Sequence, residues 1–426
     1  MNETKQFPST STPLTPSSLG QSEKEEDFSS NIMSPLFPKS EFEDRYNKIR
    51  NAMSNQGLDA VIAFSPVNIF WASGYLGSPS HRKSPEFIHG FSYPWIIIPK
   101  EDEPIIVGNS GATKSYERET TIKNIITHHP TADRAPTLVK ALEQTKLSEN
   151  KTLGFDFGDY ESISVTQYQY IQEKLKAVNA IRDATSLFQS ARMIKSPREI
   201  ECLRIASNIQ NRAFQKFFCL IKKGMSEIEI TALMEKCQFE CGSTESGNAL
   251  VWTHPSYALF KREYPNRLMK EQDVQWIDGG AVYNGYHADY DQLVVYGTAN
   301  PKQKHTFNMM KKVYEEGISH FKIGDSFSDI SKHIMRIMKK YGIINPLDPE
   351  IFLGHNLGYL MVEPPYFGTF TPKGVKLQPG MVIAPEWFTM TEYGPILYER
   401  NFIVRGDGFL EEISEFEKEL IEVTNG

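Results

Sequence analysis

The sequence predicts an α/β (α+β) protein in which a small N-terminal α/β domain precedes a larger domain built from two related halves. Three observations lead to this prediction. Short apolar strands alternate with helical segments up to about residue 190, a strong helix start follows them, and one helical segment recurs one hundred residues further along the chain.

The N-terminal part divides into a tail and a domain. Residues 1–37 are rich in Ser, Thr and Pro and lack an apolar period, which predicts a disordered tail. Residues 38–190 are predicted to form the α/β domain, starting with a helix that ends at Gly57. The segments that follow are read as strands "AVIAF", "YPWIIIP", "EPIIVGN", "NIITHH" and "TLGFDF", with a helix in "APTLVKALEQTKL".

The second domain is predicted over residues 191–426. Ser196 as N-cap, Pro197 as the first helical residue and Glu199 as the third are typical of a helix start. The segment "KKGMSEIEITALMEKCQFECG" (222–242) resembles "KIGDSFSDISKHIMRIMKKYG" (322–342), with a serine cap and a final glycine in each. This repeat predicts two related halves with a site between them. The alternative explanation of so short a match is that many helices begin with a capping serine and end at a glycine.

Composition excludes several classes of protein. The net charge of −7 and the pI near 5.9 argue against nucleic-acid binding through a broadly basic surface. We see no apolar run of about 18 residues and no secretory signal, which predicts no membrane span. All four cysteines lie between Cys202 and Cys241, a distribution that favours reduced thiols in a cytoplasmic protein. A metal-binding pair of Cys237 and Cys241 is the alternative.

The segment "WIDGGAVYNGYHADYDQ" (276–292) predicts a β-hairpin. Asn-Gly between alternating apolar runs is a strong hairpin signal, because both turn positions need a positive φ. If Asn284 and Gly285 form the turn, Tyr283 pairs with Tyr286, and paired positions sum to 569 (283 + 286). A bulge at Gly279-Gly280 would shift this register by one residue.

In this register three aspartates share one face of the hairpin. Asp278 lies opposite Asp291, and Asp289 lies opposite Gly280, with all three side chains pointing the same way. Buried carboxylates repel one another unless a cation lies between them, so a bound divalent metal is one explanation. The other is an exposed hairpin whose aspartates face water.

Three further candidate ligands follow in apolar surroundings. His355 lies in "LGHNLGYLMVEPP", Glu386 in "PGMVIAPEWF" and Glu399 in "GPILYERNFIV". Oxygen ligands with one imidazole suit Mn, Co, Fe or Zn better than a thiolate site does. Bridging carboxylates hold two such ions about 3.5–4 Å apart, an arrangement that activates water.

These motifs resemble the pita-bread metallopeptidase family, which includes methionine aminopeptidase, aminopeptidase P, prolidase and creatinase. The motifs are "DGGAVYNGYHAD", "GHNLGYLMVEPP", "APEW" and "LYERNFIV", and the resemblance covers residues 40–415. It implies a small creatinase-like α/β domain followed by a pseudo-symmetric pita-bread catalytic domain. It also implies a homodimer in which the loop 77–87 approaches the partner's site.

The resemblance assigns roles to particular residues. It implies hydrolysis of an amide bond in a small peptide of Xaa-Pro type, with Glu386 and His254 as catalytic residues. His287, Asp291 and Glu363 are expected to bind substrate. The implied ligands, for two divalent ions per chain, are Asp278, Asp289, His355, Glu386 and Glu399.

Three departures from the family pattern leave the substrate open. Val362 stands where the peptidases usually have a second histidine, Asp291 stands where threonine is usual, and Leu397 replaces an arginine. Val362 and Asp291 favour a small non-peptide substrate, such as a creatine-like, ectoine-like or sulfonium compound. A non-catalytic binding scaffold is the third alternative, and intact metal ligands argue against it.

Overall fold

The structure is a computed structural model that describes residues 36–77, 93–158, 162–253, 266–343, 352–368, 370–372, 374–391, 393–416 and 419–424. Three predictions fall wholly or largely outside the described residues: the tail, the loop 77–87 and His254. Phe37, which the predicted tail includes, is described and is buried.

The N-terminal domain is a mixed sheet with helices packed against it. Among its described residues the strands form one six-stranded sheet in the order β4-β3-β2-β1-β5-β6. The segments predicted as strands and as a helix take those structures. The elements are α1 (Lys39–Gln56), β1 (Ala60–Ala63), α2 (Pro66–Ser73), β2 (Trp95–Pro99), β3 (Ile105–Asn109), α3 (Thr113–Glu119), β4 (Asn124–His128), α4 (Ala135–Gln144), β5 (Thr152–Phe155), α5 (Val165–Lys174), β6 (Ala180–Asp183) and α6 (Thr185–Met193).

The second domain begins with the predicted helix start. The Ser196 side chain accepts a hydrogen bond from the Glu199 N–H, and the Glu199 side chain accepts one from the Ser196 N–H. The elements are α7 (Pro197–Leu220), α8 (Glu227–Glu240), β7 (Asn248–Thr253), β8 (Val274–Gly280), β9 (Val282–Tyr283), β10 (Tyr286–His287), β11 (Tyr290–Tyr296), α9 (Pro301–Ile318), α10 (Phe327–Lys340), β12 (Gly354–Asn356), β13 (Val382–Thr391), β14 (Gly394–Glu399), β15 (Phe402–Val404), β16 (Leu410–Glu412) and β17 (Ile421–Val423). No helix in the described ranges is long and apolar enough to cross a bilayer.

The repeated segments occupy matching places in the two halves of this domain. Ser226 caps α8 and Ser326 caps α10, in each case by accepting from the third helical N–H. The glycine two residues before each cap donates its N–H to a loop carbonyl, from Gly224 to Met269 and from Gly324 to Leu377. The first half contributes β7, β8 and β11 to a sheet that β17, from the C-terminal end of the chain, completes in the order β17-β11-β8-β7. The second half contributes the sheet β12-β13-β15-β16, with β14 paired to β13.

The N-terminal domain holds the tip of the predicted aspartate hairpin. The Tyr286 ring lies 5.6 Å from that of Phe70 and 6.2 Å from that of Phe37, between centroids. Its hydroxyl donates to Glu199 Oε1 at 2.9 Å, and Arg45 lies 3.5 Å from the same oxygen. The turn that connects the aspartates is therefore buried against the first domain.

Candidate metal centre

The aspartate hairpin has the predicted register. Tyr283 pairs with Tyr286 on β9 and β10, and Asp278 pairs with Asp291 on β8 and β11, so no bulge shifts the ladder between them. Asn284 and Gly285 take the positive φ values of 51° and 83° that the turn requires. Because the register is unshifted, Asp278, Asp289 and Asp291 belong to one face of the hairpin.

The second half brings an imidazole and two carboxylates to this face. His355 Nε2 lies 3.4 Å from Asp289 Oδ2, 3.4 Å from Glu399 Oε1 and 3.9 Å from Glu386 Oε1. Glu386 and Glu399 are direct partners across β13 and β14. One ligand atom from each of Asp289, His355 and Glu399 lies within 4.8 Å of the others, which is close enough to share one ion. Asp278 adjoins the group through contact with Asp289.

The cluster is nearly closed to solvent. Asp278, Asp289, His355 and Glu399 are buried, whereas the Glu386 side chain keeps 16% of its surface exposed. Among the described residues, Asp278 Oδ1, Asp289 Oδ1 and Glu399 Oε1 are buried without a hydrogen-bond partner. Buried carboxylate oxygens without donors are costly, and a divalent cation satisfies them. The donor set therefore fits a metal ion.

Burial and neighbouring charges shift the pKa values of four residues of the cluster. Burial, followed by the neighbouring carboxylates, raises the pKa of Asp278 and of Glu399 well above the usual range. Burial also raises the pKa of Glu386 to about 7, against the opposing charge of His355. Burial alone would lower the pKa of His355, but its contact with Asp289 and the nearby carboxylates raises it. Protons on these groups reduce the repulsion that a metal ion otherwise neutralises.

Backbone geometry orients the histidine. His355 Nδ1 lies 2.9 Å from the Asn356 carbonyl oxygen. Because that oxygen only accepts, Nδ1 carries a proton, and Nε2 is the nitrogen turned to the carboxylates. Gly354 has φ of 123°, and a Cβ there would lie 2.4 Å from the Ala384 carbonyl oxygen, so only glycine allows β12 this close to β13.

Two asparagines that the sequence analysis missed fix the aspartates. Asn248 on β7 donates to Asp278 Oδ2. The Asn401 side chain accepts from the Asp289 N–H at 3.0 Å and donates to the Asp289 carbonyl oxygen. Asn401 follows Glu399 by two residues, and this proximity to a candidate ligand was the only signal that the sequence offered.

Asp291 contacts protein groups on both of its oxygens. Trp276 Nε1 donates to Oδ2 at 2.6 Å, and the Glu399 backbone N–H donates to Oδ1 at 2.9 Å. Arg400 lies 3.5 Å from Oδ1. Burial raises the pKa of Asp291 to about 7 even though Arg400 and these hydrogen bonds oppose the shift. Asp291 therefore accepts hydrogen bonds within the protein and positions the backbone of the candidate ligand Glu399, while its predicted substrate contact stays a prediction.

Glu363 also has internal partners where we predicted a substrate contact. It is buried, lies 3.3 Å from Lys195 Nζ and 3.9 Å from Arg192 Nε, and accepts from the Leu360 N–H. These cations lie in the segment that joins the two domains, so Glu363 fixes the chain after His355 to that segment. These two cations lower the pKa of Glu363.

His287 stays in the neighbourhood of the site. It lies on β10 opposite Val282, on the aspartate face by its odd position, and its N–H donates to the Gly358 carbonyl oxygen at 3.0 Å. Val362 is partly buried and directly precedes Glu363. The hairpin is thus attached to the His355 segment by its backbone.

Comparison with known families accounts for both domains. Residues 45–194 match the creatinase/prolidase N-terminal domain, and residues 201–406 match metallopeptidase family M24. The chain belongs to metallopeptidase family M24. This M24 chain therefore has the pita-bread fold that the family resemblance implied, and it is a metal-dependent hydrolase.

Relatives of this M24 chain differ in what they act on. It is 23% identical to the Xaa-Pro dipeptidase of Pyrococcus horikoshii over 382 residues, covering 89% of this chain and 99% of that one. It is also 23% identical to the ectoine hydrolase of Halomonas elongata over 339 residues, covering 72% and 78%.

Solved structures agree on the fold of this M24 chain. The prolidase of Thermococcus sibiricus superposes with a TM-score of 0.77 at 20% identity, covering 89% of this chain and 99% of that one. The N-terminal domain of the FACT complex subunit SPT16 from chickpea gives 0.69 at 14% identity, covering 90% and 99%. At these identities the likeness concerns the fold alone.

Proposed function

We propose that this M24 chain hydrolyses the peptide bond before proline in small Xaa-Pro peptides. One observation carries the proposal: four carboxylates and one imidazole converge in a nearly closed pocket, as a peptidase of this family requires. The Xaa-Pro dipeptidase relative, aligned over almost its whole length, supports the choice of substrate. A non-catalytic scaffold has no need to bury these charges.

The ligands in this proposal are Asp278, Asp289, His355, Glu386 and Glu399, holding two divalent ions, with manganese as our choice. Metal ions bound at such a site lower the pKa of a water molecule and polarise the scissile carbonyl. The side chains that bind the metal are held in place by Asn248, by Asn401 and by the Asn356 carbonyl.

Glu386 is the proposed general base. It is the most exposed carboxylate of the cluster, so a water molecule can reach it from the open side. A glutamate that binds a metal ion through one carboxylate oxygen can take a proton from the water molecule with the other. We assign His254 a second catalytic role and His287 a substrate contact, on the family resemblance alone.

A small metabolite is the second candidate substrate. Val362 favours it, because the histidine usual in the peptidases at this position is missing, and the ectoine hydrolase relative acts on a compound of this class. Asp291 no longer supports it, since Trp276 and the Glu399 N–H occupy its oxygens.

Turnover of a substrate panel by manganese-loaded protein tests the proposal. The panel holds Ala-Pro, Ala-Pro-Ala, creatine, ectoine and dimethylsulfoniopropionate, with Asp289→Ala as the metal-site control. We expect proline release that disappears in the control. Cleavage of ectoine or another metabolite without proline release would replace the peptidase by the second candidate.

Val362→His sharpens the same experiment. If Val362 marks a changed substrate, histidine there raises peptide cleavage and lowers metabolite cleavage. If the wild-type enzyme is already a peptidase, the variant changes proline release by less than about tenfold, which corresponds to less than about 1.4 kcal/mol of activation free energy.

Assembly and location complete the proposal. We infer a homodimer from the family resemblance and a cytoplasmic location from the four free thiols. Light scattering of the purified protein checks the first, and fractionation of the source cells checks the second.

A further inference from the structure

We propose that His320 and His333 form a second binding site, for a divalent transition-metal ion such as Zn²⁺ or Ni²⁺, between helices α9 and α10. His320 follows the end of α9, and His333 lies within α10. The inference concerns a different place from the carboxylate cluster and does not depend on the proposed substrate.

The two imidazoles lie close enough to bind one ion together. Their ring centroids are 4.2 Å apart, with the planes inclined by 43°. His320 Nδ1 lies 2.6 Å from the Glu316 carbonyl oxygen, which only accepts, so this nitrogen carries the proton. The neutral ring therefore has its lone pair on Nε2, as in metal-binding histidines whose other nitrogen donates to a carbonyl.

His333 has a nitrogen in need of a partner. Its Nε2 is buried and has no hydrogen-bond partner in the described part of the chain. Burial, followed by the proximity of His320 and Arg336, lowers the pKa of His333, which keeps the His333 ring neutral and able to bind a metal at neutral pH.

Both histidines line an open cavity of about 370 Å³ that also has carboxylates in its wall. Asp325 and Asp329 line the same cavity. Imidazole suits Zn, Cu and Ni, and carboxylate or water completes the coordination of such ions. Asp329 already accepts from Ser326 in the cap of α10, and no carboxylate of the described residues joins the two imidazoles in a three-ligand cluster, so water completes the coordination of the ion.

The first half of the catalytic domain shows that the helix pair folds without imidazoles. One hundred residues earlier, Leu220 and Leu233 occupy the positions of His320 and His333 (320 − 220 and 333 − 233). Leu233 packs against the core of the first half and Leu220 is exposed, so packing alone does not require histidine at the matching positions of the second half. The histidine pair is therefore an addition to a scaffold that is complete without it.

Packing connects this cavity to the catalytic strand. Gly317 lines the cavity, and a Cβ at Gly317 would lie 2.0 Å from the Trp387 ring. Trp387 is the neighbour of Glu386 on β13. An ion that tightens α9 against α10 thus acts next to a strand that carries a catalytic ligand.

Metal counting on the manganese-loaded enzyme tests the site with Ni²⁺ as the probe. After equilibrium dialysis, we expect wild-type protein to hold one more Ni²⁺ per chain than His333→Leu and His320→Leu hold. Each substitution introduces leucine, the residue found at the matching position of the first half, Leu220 or Leu233. His305→Leu, at an exposed histidine near the start of α9, is the matched control and keeps the wild-type count.

Any exchange of Ni²⁺ into the catalytic cluster is equal in all these proteins, so the difference in count reports the new site alone. Thermal midpoints without Ni²⁺ establish that the variants fold. If His333→Leu does not fold, the exposed His320→Leu decides the question. Equal Ni²⁺ in wild type and His320→Leu would overturn the proposal.

Discussion

The two halves of the catalytic domain each contain a pair of acidic residues directly opposite each other on antiparallel strands. In the first half the pair is Asp278 and Asp291, and in the second it is Glu386 and Glu399. Both pairs are separated by thirteen residues (291 − 278 and 399 − 386). The halves therefore offer the same geometry for placing carboxylates.

The two pairs differ in what surrounds them. Glu399 keeps a buried oxygen that no group in the described part of the chain hydrogen-bonds, whereas Asp291 accepts hydrogen bonds from Trp276 and from the Glu399 backbone. In the first half, Asp289 contacts His355 instead, held by Asn401. Strand register thus selects the residues that face the site, and nearby donors decide which of them remain available to a metal.

Glu399→Gln is expected to have the largest effect. Because amide nitrogen cannot replace a buried carboxylate ligand, the cluster should lose metal and turnover should fall by a factor of about 10³ or more. Metal content and turnover of the purified variant measure this. Full turnover would mean that the second-half pair is no more essential than Asp291.

The pH dependence of the metal-free protein tests the cost of the crowded charges. The pKa of Glu386 is about 7 in the folded chain, against 4.5 as the ordinary value. Protonation therefore stabilises the folded chain fully below about pH 4.5, and this stabilisation is lost as the pH rises through 7. The free energy of unfolding should fall by up to about 3 kcal/mol over that interval.

Urea unfolding with a chelator, between pH 5.5 and 8, measures this slope. Manganese should remove it, and Glu386→Gln should reduce it. A metal-free protein that becomes more stable as the pH rises would contradict the assignment of repulsion to this cluster.

The variant Asp291→Asn tests whether Asp291 binds the metal itself or only positions Glu399. The amide keeps the Trp276 and Glu399 contacts in part, so we expect metal affinity to fall about 10-fold to 100-fold, the range for residues that orient a ligand. Turnover at saturating manganese should stay near the wild-type value. Complete loss of metal, as in Glu399→Gln, would make Asp291 a ligand and the two pairs equivalent.

Tyr286→Phe is expected to have the smallest effect. It removes the hydrogen bond to the buried Glu199, with a loss of about 1.5 kcal/mol of stability. The thermal midpoint measures it. Tyr283→Phe, on the other side of the turn, is the control and should have less effect because Tyr283 is only partly buried. An equal loss in both variants would exclude a specific anchor at Tyr286.

Much of the site could be predicted from the sequence because the signals are local. The Asn284-Gly285 turn determines the register of its own hairpin, and that register places three aspartates on one face. The strands of the N-terminal sheet and the capped helices could be predicted in the same way, from the spacing of apolar residues and from the capping residues. The meeting of the hairpin with His355 came from the family resemblance, since no local pattern relates segments so far apart.

The internal partners of Asp291 and Glu363 could not be predicted because they are remote in sequence. Glu399 lies 108 residues after Asp291, and Lys195 lies 168 residues before Glu363. A carboxylate in a motif is equally compatible with binding substrate and with accepting an internal hydrogen bond. Only the packed chain shows which donors are within reach.

The buried contact of Glu363 with Lys195 and Arg192 bears on how this enzyme can evolve. It fixes the backbone next to position 362, so mutations there can exchange the side chain without moving the segment. Replacements at position 362 are therefore expected to carry little risk to folding. Replacing Glu363 instead leaves two buried cations uncompensated, so selection should preserve the acid while its neighbour diversifies.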